Sequence, residues 1–470
     1  MKLIGGVAAI SIATVVGQAA TVLATPVLTR LYAPNDIGEY AVFASFLGIL
    51  GTTASLHYEL AIPLPRAAKD ARLLVLVASL ISLALAVLLA LAISVGEGVA
   101  LLSDLGRSLL KMRFMMPFAL ALTGIGTSLT YYSIRKQSFR RNAGSKVLQA
   151  ATQAITQVLA GLLGLGWMGL VGGQLIGIGL SILPLVDPTL LVHRNSVLAR
   201  SVKRMIVLGR RYQNFPLLAA PASVLSAVCN NIPALLLAAY FGMSVAGFYG
   251  LGMRVLQLPA RVFGQSLSQV FLGSAADALR RGELADLVGQ VFRALAASSL
   301  HVFVPIGLLA HSLFKVLFGA AWGESATYVV LLLPWVMIAF LSTPLSMLVT
   351  VMQRQRQDLY FQMGYLVACG LALSVGACVG SARIALTLFG VSGATVLAVK
   401  IWWLLGIAGC SRGKLARSIG HESLIAVVAN LPTCLVLWAV DSSFWICVWG
   451  GAYSILVQLL NLYVRRIYVV

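Results

Sequence analysis

The chain has 470 residues, 60% of them hydrophobic and 10% charged, and a formal net charge of +20. Soluble domains carry about 25% charged residues, so this composition, with a mean hydropathy of +0.94, excludes a soluble globular domain and defines an all-α polytopic membrane protein. The basic residues stand in short clusters between apolar runs, the pattern of loops facing anionic membrane lipid and not of a nucleic-acid-binding face.

About fourteen apolar segments are expected to span, near residues 4–28, 38–63, 72–95, 114–134, 147–167, 169–192, 215–240, 244–274, 291–318, 325–352, 359–380, 384–409, 422–440 and 443–464. Each is close to or above the roughly 20 residues that a helical span needs. The last pair is the weakest, and a twelve-span core is the alternative. The opening Met1-Lys2 imitates a signal peptide, but the apolar run to Leu28 is too long for one and leads into further spans. With the amino terminus inside, 25 of the 34 basic residues fall in cytoplasmic segments and five (Arg30, Arg107, Lys111, Arg113 and Arg383) fall outside. The remaining four, Arg254, Arg261, Lys315 and Lys400, lie within spans. The loop-by-loop alternation predicts that both termini are cytoplasmic.

Span two carries His57 and Glu59 towards its inner end. A carboxylate inside a span is costly unless paired or protonated. Glu59 reads either as a counter-charge or proton site, with His57 beside it, or as a carboxylate at the interface. Span five bears Gln149, Gln153 and Gln157 at four-residue steps, a face suited to sugar hydroxyls or, more commonly, to interhelical hydrogen bonds. Asp187 reads as an interface residue at the end of span six. The basic segment 193–213 follows, an amphipathic stretch on the inner leaflet. It separates an amino-terminal six-helix lobe (1–192) from a second one (214–410). Residues 411–470 add a basic loop and two extra spans. Gly38-Glu39-Tyr40 opens span two, and Gly247-Phe248-Tyr249 stands near the start of span eight, an echo that supports two matched lobes.

Span eight holds the main polar feature. Arg254, Gln257, Arg261, Gln265 and Ser268 are spaced three, four, four and three apart. On one helix they form a stripe roughly 80° wide. Arginine at bilayer depth costs about 2.5–3.5 kcal/mol on insertion scales, so it is tolerated where it meets a partner or a wet cavity. The stripe therefore suggests a polar path with a preference for anions. Arg261, near one end of the segment, is equally well explained by snorkelling. Lys400 is expected to snorkel, and His301 and His311 to be packed. The six cysteines have no metal-ligand spacing. With no catalytic constellation, no nucleotide motif and no large loop, the chain is not expected to be an enzyme or to bind a cofactor, and gradients or ion flow must drive any transport.

Four stretches, 26–43, 57–65, 211–242 and 246–271, resemble the oligosaccharide flippases of the Wzx type, within the multidrug/oligosaccharidyl-lipid/polysaccharide (MOP) exporter superfamily. The resemblance implies two six-helix lobes in a V-shaped, alternating-access arrangement with two added carboxy-terminal helices. It implies a polyprenyl-pyrophosphate-linked oligosaccharide as substrate, flipped from the inner to the outer leaflet of the bacterial cytoplasmic membrane, with coupling to H+ or Na+. Membrane lipids, a polymerase and chain-length proteins of the same pathway are the implied partners. Arg30 matches the family's Thr-Arg-Leu-Tyr element, Glu59 its Tyr-Glu-Leu-Ala element and Arg254 its Arg-Val-Leu-x-Leu-Pro element. Arg254, with Arg30 and Arg261, is then expected to hold the pyrophosphate, while amides such as Gln257 and Gln265 face sugars. Many relatives have Arg where this chain has His57, which argues against a constant ion pair with Glu59 and for pH sensitivity. The alternatives are a peptidoglycan-precursor flippase, a drug exporter, a membrane polymerase or ligase, and a scaffold of a glycan assembly complex. An exporter would favour an acidic cavity, and a polymerase would need a larger outer loop than residues 96–113.

Overall fold

The computed structural model describes residues 2–96, 104–187 and 198–411, with single helical positions at 413, 417, 420, 425 and 430. All regular structure among them is helical, as expected where backbone groups must find partners within their own segment. The expected spans 422–440, apart from positions 425 and 430, and 443–464 lie outside the described residues, as does the start of the 193–213 segment.

The helices in chain order are α1 (Lys2–Leu31), α2 (Pro34–Gly51), α3 (Ala68–Val95), α4 (Asp104–Lys111), α5 (Met115–Arg135), α6 (Phe139–Leu162), α7 (Trp167–Ile182) and α8 (Leu198–Arg211). They continue with α9 (Ala220–Phe241), α10 (Met243–Leu256), α11 (Leu258–Arg281), α12 (Leu284–Phe318), α13 (Gly323–Leu345), α14 (Met347–Val351), α15 (Gln355–Cys378) and α16 (Ala382–Ile407). Among the described residues seven stretches are long and apolar enough to cross a membrane, and eight if Leu105–Lys111 and Met115–Arg135, bent by 71°, form one span. Four of the first twelve expected spans fall outside that set. Segment 4–28 is helical throughout, within α1; segment 38–63 is α-helical only to Gly51; the helix over segment 147–167 starts on Arg140, Arg141 and Asn142; and segment 244–274 is interrupted at Gln257. The count of fourteen rests on the sequence.

The chain divides into two compact units, Met1–Gly247 and Phe248–Val470. In the first, α1 packs along α6, α6 along α7, α3 along α5, and α9 along α2. Its apolar order is inverted relative to a soluble bundle. On α3 the exposed face carries Leu76, Leu80, Leu83, Val87, Leu88 and Leu91, while Leu74 and Val75 and the small residues Ala71, Ala78, Ser82 and Ala86 are buried. Leucines facing outward match hydrocarbon, and small residues inside let backbones approach. At one end of this unit the basic loops find their carboxylates. Lys136 Nζ lies 2.6 Å from Asp187 Oδ2, with Arg141 at 3.5 Å, and Arg204 grips Asp70 through two hydrogen bonds of 3.0 and 2.8 Å. At the other end Asp36 Oδ1 accepts from the backbone N–H of Trp167 at 3.1 Å.

The two Gly-x-Tyr elements turn out to be neighbours. A Cβ on Gly38 would run into the carbonyl of Met243, and a Cβ on Gly247 would run into that of Pro34 and lie 3.0 Å from the Gly38 nitrogen. The start of α10 thus crosses α2 backbone to backbone, and both positions require glycine by close approach. Gly38→Leu is expected to destabilise the bundle by about 1–3 kcal/mol or more, the usual cost of overpacking. A lower apparent melting temperature and reduced monodisperse yield would register it, and a wild-type melting curve would show that the crossing yields easily.

In the second unit α12 and α16 flank α13, and α15 packs along α16. Trp335 meets Phe389 edge to face at 5.0 Å, and Phe248 meets Trp322 in the same way at 5.8 Å. Lys400 does not snorkel. It is buried, and its Nζ lies 2.6 Å from Asp358 Oδ1. His301 is packed as expected, its Nδ1 2.7 Å from the carbonyl of Ala297.

Candidate functional site

The expected helix around His57 and Glu59 is instead a tight turn. Gly51 ends α2, and Thr52 Oγ1 donates to the carbonyl of Ile49 at 2.7 Å, taking up one of the acceptors a helix end leaves open. Leu56 and His57 adopt left-handed backbone with φ of 49° and 61°, a conformation disfavoured for residues other than glycine. A 3-10 turn, Tyr58–Ala61, follows. This path brings His57 Nδ1 to 3.1 Å from Glu59 Oε1, and Ser55 Oγ donates a short hydrogen bond to Glu59 Oε2. Glu59 is only 5% exposed, and His57 Nε2 is buried with no hydrogen-bond partner. Tyr58 OH donates to the carbonyl of Gly209 at 3.0 Å. Arg135 donates to the carbonyls of Pro63, Pro65 and Arg66, fixing the chain beyond.

His57 and Ser55 between them engage both oxygens of the buried Glu59 carboxylate, which ties the turn to itself.

The stripe of span eight is corrected by the break at Gln257. Pro259 lacks an N–H and its ring conflicts with the carbonyl of residue 255, which ends α10 at Leu256 and restarts the chain as α11. Arg254 sits in the last turn of α10 and Gln257 at the break, both half-buried and both engaged by neighbouring groups. Ser268 is buried. The side chains of Arg261 and Gln265 lie outside the described residues. Arg30 is exposed in the last turn of α1. It belongs to the first unit, whereas Arg254 and Gln257 belong to the second.

The glutamine face of span five divides. Gln153 Nε2 donates to Tyr40 OH at 3.1 Å and Gln157 Nε2 to the carbonyl of Leu170 at 2.8 Å, both interhelical bonds. Gln149 instead lines a cavity of about 430 Å3 bounded by α2, α5, α6 and α7. Thr123, Thr127 and Thr130 of α5 face it, with Asn142, Ser145 and Lys146 of α6 and Gln174 of α7. These threonines, spaced four and three apart along α5, and Asn142 and Gln174 come together only in the fold. Glu39, reached by Lys111 Nζ at 3.2 Å, is a further buried carboxylate.

Three solved structures show the same fold. One described as "Lipid II flippase MurJ, inward closed conformation" superposes with a TM-score of 0.78 at 12% identity, covering 98% of this chain and 99% of that one. An inward-facing multidrug resistance MATE family transporter of the MOP superfamily gives 0.63 at 13% identity, covering 85% and 95%. A MOP superfamily transporter from Pyrococcus furiosus, described by the reverse polarity of its binding pocket, gives 0.51 at 12% identity, covering 86% and 95%. A search of curated proteins returns no match. The fold is thus that of a MOP superfamily membrane transporter. The chain belongs to the polysaccharide biosynthesis protein family, whose model matches residues 27–327.

Proposed function

We propose that the chain is a flippase that carries polyprenyl-pyrophosphate-linked oligosaccharide repeat units from the inner to the outer leaflet of the bacterial cytoplasmic membrane, and not an enzyme. The observation that carries this reading is membership of the polysaccharide biosynthesis family in a chain that superposes over 85% of its length on a MOP superfamily transporter. Arginine suits the substrate, because its planar fork holds phosphate oxygens in a bidentate grip. Arg254 is assigned the pyrophosphate, with Arg30 and Arg261 in support and Gln257 and Gln265 towards the sugars. His57 and Glu59 are assigned the coupling or counter-charge role, and H+ or Na+ supplies the coupling. Two lobes, 1–192 and 214–410, alternate access around the 193–213 linker, and residues 411–470 add two spans. The charge of the basic loops supports a cytoplasmic location of both termini. A pathway polymerase and chain-length proteins are the proposed partners.

A second reading, flipping of a peptidoglycan precursor, is favoured by the superposition on a structure described as a Lipid II flippase. Deleting the gene and measuring lipid-linked intermediates by mass spectrometry with a leaflet-selective sugar probe separates the two. Single repeat units trapped on the cytoplasmic leaflet, with surface glycan lost and the cells viable, are expected. Repeat units trapped on the outer leaflet would point to a later enzymatic step, and lethal loss of the wall to the second reading.

A further inference from the structure

The cavity between α2, α5, α6 and α7 has its own chemistry. Its volume of about 430 Å3 lies within the range of small-molecule sites, roughly 300–1,000 Å3. Asn142 is 3% exposed, and both its amide atoms lack a partner, as does Gln174 Oε1. Asn142 and Gln174 both border the open volume, and buried amides are nearly always hydrogen-bonded, so these call for a partner that the chain does not itself supply. Thr123, Thr127 and Thr130 donate to carbonyls of their own helix at 2.8, 2.7 and 2.9 Å. Their oxygens keep acceptor lone pairs for that partner.

Among the described residues no carboxylate lines the cavity, and Lys146 is the one charged residue there. A cationic guest would be buried without a counter-charge, which is costly. A pyrophosphate would find no arginine. A polyprenyl tail would leave the amides unsatisfied. Ala44, Leu47 and Ile178 supply apolar wall between the polar groups. Alternating hydroxyl-bonding groups and apolar patches match a pyranose, which has a polar rim and apolar C–H faces.

We infer that this cavity is a sugar subsite, taking a ring of the lipid-linked glycan within the first unit, through Asn142, Gln174 and Gln149 with the α5 threonines. The inference rests on the transport reading above and adds to it the place where a neutral sugar is recognised, apart from the arginines assigned to the pyrophosphate.

The test measures binding of the full chain in lipid nanodiscs to two probes, undecaprenyl pyrophosphate bare and bearing one N-acetylhexosamine. Gln174→Met and Asn142→Leu keep the approximate shape and remove amides that hold no protein partner, so folded yield should be retained. Each is expected to weaken binding of the sugar-bearing lipid about tenfold, the equivalent of 1.4 kcal/mol, and to leave the bare lipid unchanged. Arg254→Ala should weaken both probes. If neither cavity variant loses sugar-dependent affinity while the wild type binds both lipids, the cavity holds water only and this inference falls, with the transport reading intact. Equal losses for both probes would also overturn it. A wild type that binds neither lipid would overturn both readings together.

Discussion

Arg254→Ala is expected to abolish surface glycan in a host that depends on this chain, with folded protein at the wild-type level. The residue sits where α10 ends and the chain breaks before Pro259, so its position is set by backbone interruption and not by a loop. A charged hydrogen bond is worth about 1.5–3 kcal/mol. Losing a bidentate grip on a diphosphate therefore lowers flipping by about two orders of magnitude or more. Arg254→Lys keeps the charge but presents it as a point, and is expected to be partly active. Complementation of the deletion strain, scored by surface glycan with membrane levels of each variant matched, is the measurement. Normal glycan from the alanine variant would remove Arg254 from the mechanism. Correctly folded but inactive protein would separate a binding role from a packing one.

Lys400→Met is expected to be the most damaging single change to stability. Lys400 and Asp358 have side chains only 10% and 18% exposed, and they join α16 to the first turn of α15. Their 2.6 Å approach is an attraction of charges more than an aligned hydrogen bond, since Asp358 Oδ1 has no hydrogen-bond partner; Gln362 Nε2 donates to the other oxygen at 2.9 Å. Removing the lysine leaves a buried carboxylate uncompensated, at a cost of about 3–5 kcal/mol. Replacing both residues by apolar ones of similar volume is commonly neutral, so Lys400→Met/Asp358→Leu should recover most of the loss. Fixed-rate thermal scans in detergent on the wild type, both single variants and the double variant complete the cycle, at one scan rate because unfolding of such proteins is often irreversible. A double variant as unstable as Lys400→Met would mean that the lysine acts through packing and not through Asp358.

Much of the frame was legible in the residues. A span of about 20 apolar residues satisfies its own backbone, so the helices follow from local sequence. The first twelve expected segments are each helical over most of their length. The helix interruptions were partly legible too. Pro259 stood in plain view inside span eight, but apolar character on both sides of it concealed the break. Segment 38–63 misled for a different reason. Composition does not register that Gly51, two threonines and left-handed residues at 56 and 57 turn the chain before Glu59.

What the chain decides by itself is its solvent, its helical class and the clustering of its cations, because these depend on each segment's own hydropathy and charge. What tertiary structure decides is which polar groups meet. Gln149, Gln153 and Gln157 share a face in sequence, yet two of them tie helices together and one borders a cavity. Lys400 looked like a snorkelling cation until Asp358, forty-two positions earlier, came within 2.6 Å. Gly38 and Gly247 looked like a repeat and proved to be a crossing. A helix face names a direction, and only the neighbouring helix determines whether that direction holds lipid, a partner or an open cavity.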